Sequence, residues 1–504
     1  MAPVDNAGAG GAARLQWLGW DDRTLHWKVA LVARMALALR IDGVVFERYT
    51  LDAGEHALHS RFACSPTGND ELEFSFAYGD AAPALGAPWR VRFAAAAPAG
   101  IDQWTQAPPH LAPLADTPSL PARPLAALPP VAVVVPIFNA AASVRRCLDA
   151  LARCTAADVR WILVDDASTD PAIATLLAQH ASSANVHIER HAVNRGYTSA
   201  VNTGIAAAGT ADVVLLNSDT EVGPRWLESL RLAAYGDPTI GTVTAVSDNA
   251  GAFSVPELEQ YCPIPPAWTL AEAQRAVLQQ AGLRFPELPT GNGFCLLIKR
   301  ELIDRIGVFD ADAFPMGYGE ENDFCQRAVA AGWRNVIAGN VLVRHERSAS
   351  FGDARRAALG VQGMAVLRRR YPRYEADVGE TLYSFLRRVL DYRVRRAYAG
   401  AAQAQPPPRP RLLIAGSHDD DVRRFSAAGD FDVFVLADEP LRLRRLTRHE
   451  STDVATAAQG ADDNVVLKRW LMAWAIERVH APATAAVRAA AADLGIPVEA
   501  GSGA

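Results

Sequence analysis

The hydrophobic pattern divides the chain into three regions with different predicted secondary structure. Before residue 106, short runs such as LHWKVALVA and LEFSFAYG alternate apolar and polar residues between Gly, Asp, Asn and Pro. This alternation predicts a small antiparallel β-sandwich. From residue 131 to about 400, apolar strands alternate with helical segments, which predicts a mostly parallel sheet with helices on both faces. After residue 411, RLLIAG and FDVFVLAD predict two buried strands of a third, smaller unit.

Two proline-rich stretches separate these regions. Residues 106–130 read QAPPHLAPLADTPSLPARPLAALPP, and the stretch at 401–411 contains PPPRPR; neither can propagate a helix. We therefore expect a β-rich accessory domain at 1–105, a central α/β domain at 131–400, and a partial Rossmann-like α/β unit at 412–504.

The central region begins with VAVVVPIF, which is apolar throughout, as expected of a strand buried on both faces. Ser143 is then expected to cap a helix. The apolar face of that helix carries residues at helical spacing, namely Val144, Cys147, Leu148, Leu151 and Cys154.

Composition narrows the classes of partner. The chain has 504 residues, 50% of them hydrophobic, and a net charge of −6, so no overall attraction to nucleic acid is expected. Its six cysteines form no CxxC pair and resemble buried apolar residues in a reducing compartment. The amino terminus lacks a basic segment followed by an apolar run, and no uncharged stretch reaches the roughly 20 residues that cross a bilayer. We therefore expect a cytoplasmic protein.

Polar groups follow four successive strands or loops of the central region. They are Asn139 after VVVPIF, Asp165 and Asp166 after WILV, Asn194-Arg195-Gly196 after VHIERHAV, and Asn217-Ser218-Asp219 after VVLL. Taken singly, each could cap the following helix. Ligands of parallel α/β sheets bind beyond the carboxyl ends of the strands, so four such groups at one edge favour a nucleoside diphosphate site.

Seven motifs then occur in a recognisable order: VVVPIFN, LVDDASTD, NRGYTSAVNTG, LLNSDTEV, TGNGF, GYGEENDFCQRAVAAGW and VRHERSASFG. Over roughly residues 130–352, this order resembles family 2 glycosyltransferases, and in particular their rhamnosyltransferase-like branch. The resemblance implies a GT-A fold, a divalent metal, and a single displacement with inversion at the anomeric carbon.

The resemblance also implies a donor site. Pro136, Phe138 and Asn139 would line the base pocket, and either Asp165 or Asp166 would accept a hydrogen bond from the base. Arg195 would lie near the base and phosphates, with Asn202 close by. The family's DXD motif aligns with Asn217 and Asp219, so one of its two carboxylates is replaced by an amide.

By the same resemblance, Asp219 and His345 would hold Mn²⁺ or Mg²⁺, and an imidazole ligand suits Mn²⁺ better. The alternative for His345 is a packed structural residue. Glu321, with Glu320 beside it, would be the catalytic base, and the helix dipole should keep both carboxylates ionised. Residues expected near the acceptor are Gly291, Asn292, Gly293 and Tyr318.

The function implied is inverting transfer of a sugar from a UDP- or dTDP-sugar, with rhamnose as one candidate, to a glycan or polyprenyl-linked acceptor in bacterial surface polysaccharide synthesis. One alternative is a non-catalytic glycan-binding or scaffold protein derived from such an enzyme. Another is a sugar-nucleotide nucleotidyltransferase, although PIFNAAASVRR lacks the Gly-rich phosphate loop which that class requires after its first strand.

Residues 367–398 are rich in arginine and carry apolar residues at helical spacing. One interpretation is peripheral contact with the anionic face of the inner membrane. The other is a set of helices packed on the catalytic domain, which is commoner for charged helix faces.

Overall fold

The computed structural model describes most of the chain, namely residues 13–21, 24–41, 44–61, 71–78, 89–92, 120–283, 285–346, 353–382, 385–402, 406–415, 419–437, 441–446, 451–457 and 462–500. Two compact units emerge. One comprises residues 119–409 and 489–497, and the other comprises the amino-terminal strands and most of the chain after residue 410.

The amino-terminal region is built from strands alone. These are β1 (Ala13–Asp21), β2 (Thr24–Leu31), β3 (Met35–Ile41), β4 (Val44–Leu51), β5 (Gly54–Arg61), β6 (Glu71–Tyr78) and β7 (Trp89–Arg92). They form two antiparallel sheets with the orders β1-β2-β5 and β4-β3-β6-β7. Trp27, Val29 and Leu31 are buried at alternate positions of β2, as the sequence alternation requires. The β-rich prediction is confirmed. Cys64 and the first part of the predicted 106–130 linker lie outside the described residues.

The central region alternates strands and helices. Its elements are β8 (Val131–Ile137), α1 (Ala141–Cys154), β9 (Arg160–Asp165), α2 (Pro171–His180), β10 (Val186–Arg190), α3 (Tyr197–Ala207), β11 (Asp212–Leu216), β12 (Thr220–Glu221), α4 (Trp226–Tyr235), β13 (Ile240–Ser247), α5 (Leu270–Gln280), β14 (Cys295–Ile298), α6 (Arg300–Ile306), α7 (Glu320–Ala330), β15 (Arg334–His345), α8 (Asp353–Arg370), α9 (Tyr374–Leu382) and α10 (Phe385–Ala402).

The central strands form one eight-stranded sheet in the order β10-β9-β8-β11-β14-β13-β15-β12. Its first four strands are parallel to one another, and so are β13 and β15, whereas β14 and β12 run antiparallel to their neighbours. Val133 and Val135 of β8 pack into a buried cluster with α1, α2 and α4. Ala132 and Val134 face the opposite side, where α3, α6 and α7 lie. The predicted fold class, a mostly parallel sheet with helices on both faces, is confirmed.

The start of α1 corrects one local prediction. The helix begins at Ala141, after Ala140 with a left-handed φ of 56°, and no side chain caps it. Ser143 lies inside the first turn, where its hydroxyl donates to Glu346 Oε2 at 2.7 Å. The capping prediction was wrong because the left-handed residue starts the helix earlier than the serine. The predicted apolar face is buried except for the partly buried Cys154.

The carboxyl-terminal elements are β16 (Arg411–Ala415), α11 (Asp419–Ala428), β17 (Asp432–Ala437), β18 (Arg442–Leu446), β19 (Ser451–Thr456), α12 (Asp463–Ala473), β20 (Arg478–Ala481), α13 (Ala485–Asp493) and β21 (Val498–Ala500). The strands form a mixed sheet in the order β19-β18-β17-β16-β20-β21. Strand β16 is parallel to both β17 and β20, so the predicted α/β unit is present.

Arginines of α10 make hydrogen bonds inside the central unit. Arg387 is 1% exposed; it donates to the carbonyl oxygens of Ala252 and Ser254 at 2.8 and 2.6 Å and pairs with Asp391. Arg393 is also buried and donates to the carbonyl of Ala281. These contacts favour the packed-helix interpretation for both residues, and membrane contact stays a prediction. Among the described helices, none is long and apolar enough to traverse a bilayer.

Candidate active site

A cavity of about 380 Å³ opens beyond the carboxyl ends of β8, β9 and β11, at the edge where the sequence predicts a ligand site. Its volume lies in the usual range for small-molecule sites. Most of the predicted site residues line it, namely Pro136, Phe138, Asp166, Asn217, Asp219, Asn292, Tyr318, Glu320, Glu321 and His345.

The predicted donor residues Asn139 and Asp165 lie beside the cavity, and neither lines it. The Asn139 side-chain oxygen accepts hydrogen bonds from the backbone N–H groups of Thr169 and Asp170. Asp165 is fully buried; it accepts from the Ser168 N–H at 2.8 Å and pairs with Arg190 at 3.3 Å. Both side chains hold the loop that follows β9.

Asp166 organises the turn that carries Arg195. Its two carboxylate oxygens accept from the backbone N–H groups of Arg195 and Gly196, each at 2.8 Å, and one also contacts the His191 ring. The Arg195 side chain is exposed and does not line the cavity. Asn202, also predicted near the donor, instead bonds both backbone groups of Phe309 through its amide. The sequence did not show that the side chains of Asp166 and Asn202 form hydrogen bonds with backbone groups of the protein itself.

Asp219 and His345 are brought together by the pairing of β12 with β15, in which Thr220 lies opposite His345. His345 Nε2 lies 3.3 Å from Asp219 Oδ1. His345 Nδ1 lies 3.0 Å from the Asn249 carbonyl oxygen, which can only accept, so the ring proton sits on Nδ1. Nε2 therefore faces the Asp219 carboxylate, and when Nε2 carries no proton the two groups would together bind a cation. A carboxylate and an imidazole oriented through its other nitrogen fit a divalent metal.

The Glu320–Glu321 pair begins α7 and lines the same cavity. The segment before it, Gly317-Tyr318-Gly319, has three successive positive φ angles of 87°, 69° and 146°. Tyr318 is the one residue of the three that is not glycine, and a positive φ is energetically unfavourable for a residue with a side chain. Such backbone strain is typical of functional loops. Glu321 Oε1 accepts from the Gly293 N–H at 3.0 Å. This contact anchors the carboxylate beside the TGNGF segment.

Asp323, in the first turn of α7, fixes the position of that helix. It is 1% exposed and pairs at 2.9 Å with Arg327, four residues further along the helix. Arg370 and Tyr371, at and just after the end of α8, also donate to it at 2.7 and 2.9 Å. A buried carboxylate with three donors holds α7 against the end of α8.

The amino-terminal part of this domain matches a known sequence family. Residues 132–307 match Glycosyl transferase family 2. The chain contains a family 2 glycosyltransferase domain. The predicted relation to family 2 glycosyltransferases is therefore confirmed for the matched residues, whereas the rhamnosyltransferase-like branch stays a prediction. Glu321 and His345 lie beyond the matched residues of the glycosyltransferase family, so the structure supplies the evidence that they join Asp219 at one cavity.

Several glycosyltransferases share part of this sequence. A pre-mycofactocin glycosyltransferase from Mycobacterium tuberculosis is 30% identical over 46% of this chain and 46% of its own length, so the chain spans about half of that relative. The succinoglycan biosynthesis protein ExoU of Rhizobium meliloti is 25% identical over 59% of this chain and 90% of its own length. A mannosyltransferase from Pyrobaculum calidifontis, solved with GDP-Man and Mn²⁺, is 22% identical with a TM-score of 0.38 over 61% of this chain and 82% of its own.

Glu320 corrects a prediction about charge in the glycosyltransferase domain. It is 1% exposed, and burial raises its pKa well above the usual 4.5, with a further increase from the charge of Glu321 beside it. The expectation that the helix dipole keeps both carboxylates ionised is therefore wrong for Glu320, because desolvation and a like charge outweigh the dipole. The Glu320 carboxyl therefore keeps its proton to a higher pH than an ordinary glutamate does.

This raised pKa predicts a pH-dependent stability difference. Below pH 4.5, Glu320 is protonated in both folded and unfolded chains. As pH rises, the unfolded chain loses the proton and the folded chain keeps it, so folded stability falls. We expect Glu320→Gln to become more stable relative to wild type between pH 4.5 and 8, measured by urea unfolding. Glu301→Gln, an exposed carboxyl in α6, is the control. A stability difference that does not change with pH would contradict the assignment.

Tyr197 is a site residue that the sequence analysis missed. It begins α3 and lines the cavity. A Cβ at Gly293 would collide with its hydroxyl and would lie 2.9 Å from Glu321 Oε1, so the two oxygens flank Gly293. The available signal was its place directly after Arg195-Gly196, at a helix start on the predicted edge of the sheet.

Gly293→Ala should therefore damage transfer. The new methyl group would push Tyr197 and Glu321 apart, and a displacement near 1 Å at a reacting group can cost about 10²-fold in rate. We expect kcat to fall by about that factor with little change in the thermal midpoint, measured by nucleoside diphosphate release and calorimetry. Gly360→Ala, with open space around its Cβ position, is the matched control. Unchanged kcat would show that the site tolerates the methyl group.

Proposed function

We propose that this chain transfers a sugar from a nucleoside-diphosphate donor to a hydroxyl group of a glycan, with inversion at the anomeric carbon. The observation that carries the proposal is the convergence of Asp219, His345 and Glu321 on one cavity. These groups come from separate strands and helices, and together they supply a cation site and a base across a space suited to a small ligand.

The charge of the cavity supports a metal-dependent donor. Its lining contains four carboxyl groups, those of Asp166, Asp219, Glu320 and Glu321, and no Lys or Arg lies among the described lining residues. A diphosphate would meet net negative charge there, so binding requires a cation. When bound, a divalent cation offsets the negative charge that develops on the departing diphosphate. The imidazole of His345 favours Mn²⁺ over Mg²⁺ in this role.

We assign Glu321 the role of general base. The oxygen of the acceptor hydroxyl forms a bond to the anomeric carbon, and its proton passes to the Glu321 carboxylate. The bond between the anomeric carbon and the diphosphate oxygen breaks, and the electron pair leaves with the nucleoside diphosphate. Neutral Glu320 cannot compete for that proton. The hydrogen bond from the Gly293 N–H orients Glu321 for this step.

We assign the remaining cavity residues to donor and acceptor. Pro136 and Phe138 would contact the base near Asp166, with a UDP- or dTDP-sugar as donor and rhamnose as one candidate sugar. Asn292 and Tyr318 would lie near a glycan or polyprenyl-linked acceptor. The relatedness to a succinoglycan biosynthesis protein supports a role in bacterial surface polysaccharide synthesis. The cytoplasmic location, the inner-membrane contact and the boundaries at residues 105, 130 and 400 belong to this proposal.

A donor screen tests the function. The full chain is incubated with UDP-, dTDP- and GDP-sugars, with and without Mn²⁺, and released nucleoside diphosphate is measured with and without glycan acceptors. We expect Mn²⁺-dependent release from one nucleotide class, increased by acceptor. Absence of release with every donor would support a scaffold, and formation of pyrophosphate from sugar phosphate and nucleoside triphosphate would support a nucleotidyltransferase. Either result would overturn the proposal.

A further inference from the structure

Asn217 stands where the aligned family motif has a carboxylate, and a tyrosine holds its side chain. The Tyr197 hydroxyl donates to Asn217 Oδ1 at 3.3 Å. Two other contacts fix the Asn217 backbone: its N–H donates to the Phe294 carbonyl at 3.0 Å, and its carbonyl accepts from Thr220. Side chain and backbone are therefore both held.

The position of Tyr197 is itself constrained. It follows Gly196, whose φ is +86° and whose Cβ position is blocked by the Pro315 carbonyl oxygen and by the Met316 sulfur at 2.9 Å. The Gly196 N–H donates to Asp166, and the next turn is tied to Phe314 through Thr198. The phenol at the start of α3 consequently has little freedom to leave Asn217.

The hydroxyl of Tyr197 stays protonated. Burial raises its pKa well above 10, and the charges of Glu321, Glu320 and Asp219 add to that shift. A permanently neutral phenol is a permanent donor to Asn217 Oδ1. Because an amide carries its acceptor oxygen and donor nitrogen on opposite sides, fixing the oxygen also fixes where the NH₂ group points.

The NH₂ group of Asn217 has no acceptor among the residues that the structure describes. Asn217 is partly exposed and lines the cavity together with Tyr197 and Asp219. Its two N–H donors are therefore available to a ligand. Since the described cavity lining holds no Lys or Arg, these donors are neutral groups suited to phosphate oxygens beside the Asp219–His345 pair.

We propose that Tyr197 is a positioning residue that orients the Asn217 amide so that its NH₂ group donates to a phosphate oxygen of the nucleoside diphosphate. This inference rests on the proposed function and names a contact within the donor site. The amide in place of a carboxylate then contributes directly to donor binding. It also keeps a further negative charge out of a cavity that already holds several carboxyl groups.

A double-mutant cycle tests the proposal. UDP, dTDP and GDP are titrated calorimetrically, with saturating Mn²⁺, into full-length wild type, Tyr197→Phe, Asn217→Ala and the double variant. A hydrogen bond to a charged group is worth about a tenfold change in affinity, so we expect Asn217→Ala to weaken binding by about that factor. Tyr197→Phe should weaken it about fivefold. The double variant should match Asn217→Ala, because Tyr197 acts through Asn217.

Tyr235→Phe is the matched control, since the hydroxyl of the partly buried Tyr235 bonds Asp212 in the same domain and the residue does not line the cavity. We expect it to leave nucleoside diphosphate affinity unchanged, and we expect Mn²⁺ affinity without nucleotide to be unchanged in Tyr197→Phe. Additive losses in the cycle, or wild-type affinity in Asn217→Ala, would overturn the inference. If Tyr197→Phe fails to fold, Asn217→Ala alone decides the donor role of the amide. If wild type binds none of the three nucleotides, the proposed function itself fails.

Discussion

Glu321→Gln should bind the donor with near wild-type affinity and transfer sugar about 10²- to 10⁴-fold more slowly, the range typical of a lost general base. The amide keeps the size of the side chain and can still accept from the Gly293 N–H, but it cannot take a proton from the acceptor hydroxyl. The measurement is a comparison of Mn²⁺-dependent nucleoside diphosphate affinity with the initial rate of transfer.

The neighbouring carboxyl supplies a stringent control for that experiment. Glu320 already carries a proton, so Glu320→Gln replaces one neutral group with another and should keep most of the transfer rate. The transfer rates of Glu320→Gln and Glu321→Gln are thus expected to differ by orders of magnitude, although both substitutions preserve the size of the side chain. Equal losses in the two variants, or full turnover in Glu321→Gln, would show that the proton leaves by another route.

Asp219→Asn should abolish metal-dependent donor binding. The substitution removes the carboxylate that faces His345 Nε2 at 3.3 Å and leaves two neutral groups to hold a divalent ion. Loss of an orienting group around a metal ligand costs about 10- to 100-fold in affinity, and loss of the ligand itself should cost at least about 100-fold. The measurement is Mn²⁺ affinity by paramagnetic resonance, together with the Mn²⁺ concentration that half-saturates nucleoside diphosphate release.

Glu221→Gln is the matched control for Asp219. It removes a carboxylate two residues away on β12, where Glu221 bonds Arg344 at 3.2 Å and does not line the cavity. Its Mn²⁺ requirement should equal that of wild type. An unchanged requirement in Asp219→Asn would place the cation elsewhere and leave the cavity without a means of balancing its carboxylates.

The central sheet could be predicted from the sequence because the burial of a strand determines which of its positions are apolar. A strand such as β8, covered on both faces, must be apolar at every position, and its burial bears this out. The carboxyl ends of parallel strands share one edge, so Asp166 and Asn217 could be expected at one cavity. By contrast, the meeting of Asp219 with His345 depends on the register of β12 against β15, which periodicity does not encode; the family resemblance supplied it.

The roles of several site residues depend on their three-dimensional environment, which the sequence does not show. The family resemblance places Asn202 near the donor, yet its side-chain amide forms hydrogen bonds with the backbone of Phe309, which is distant in sequence. The position of Glu320 at the start of a helix predicted an ionised carboxylate, whereas its burial, which raises its pKa, depends on the surrounding structure. Tyr197 gave no polar signal of its own, because an aromatic residue at the start of a helix is more often part of a core.

The contacts of Asp323 determine how short an active fragment can be. A fragment that ends with the family match at residue 307 would lack α7 altogether. A fragment that ends after β15 would leave the Asp323 carboxylate without the hydrogen bonds from Arg370 and Tyr371. Arg327 would then be the one remaining partner named above for this buried carboxylate. Removing part of a buried ion-pair network is strongly destabilising, so the helix that bears the proposed base would shift or unfold. The minimal catalytic fragment must therefore extend at least through Tyr371, and α8 belongs to the catalytic core rather than to a detachable tail.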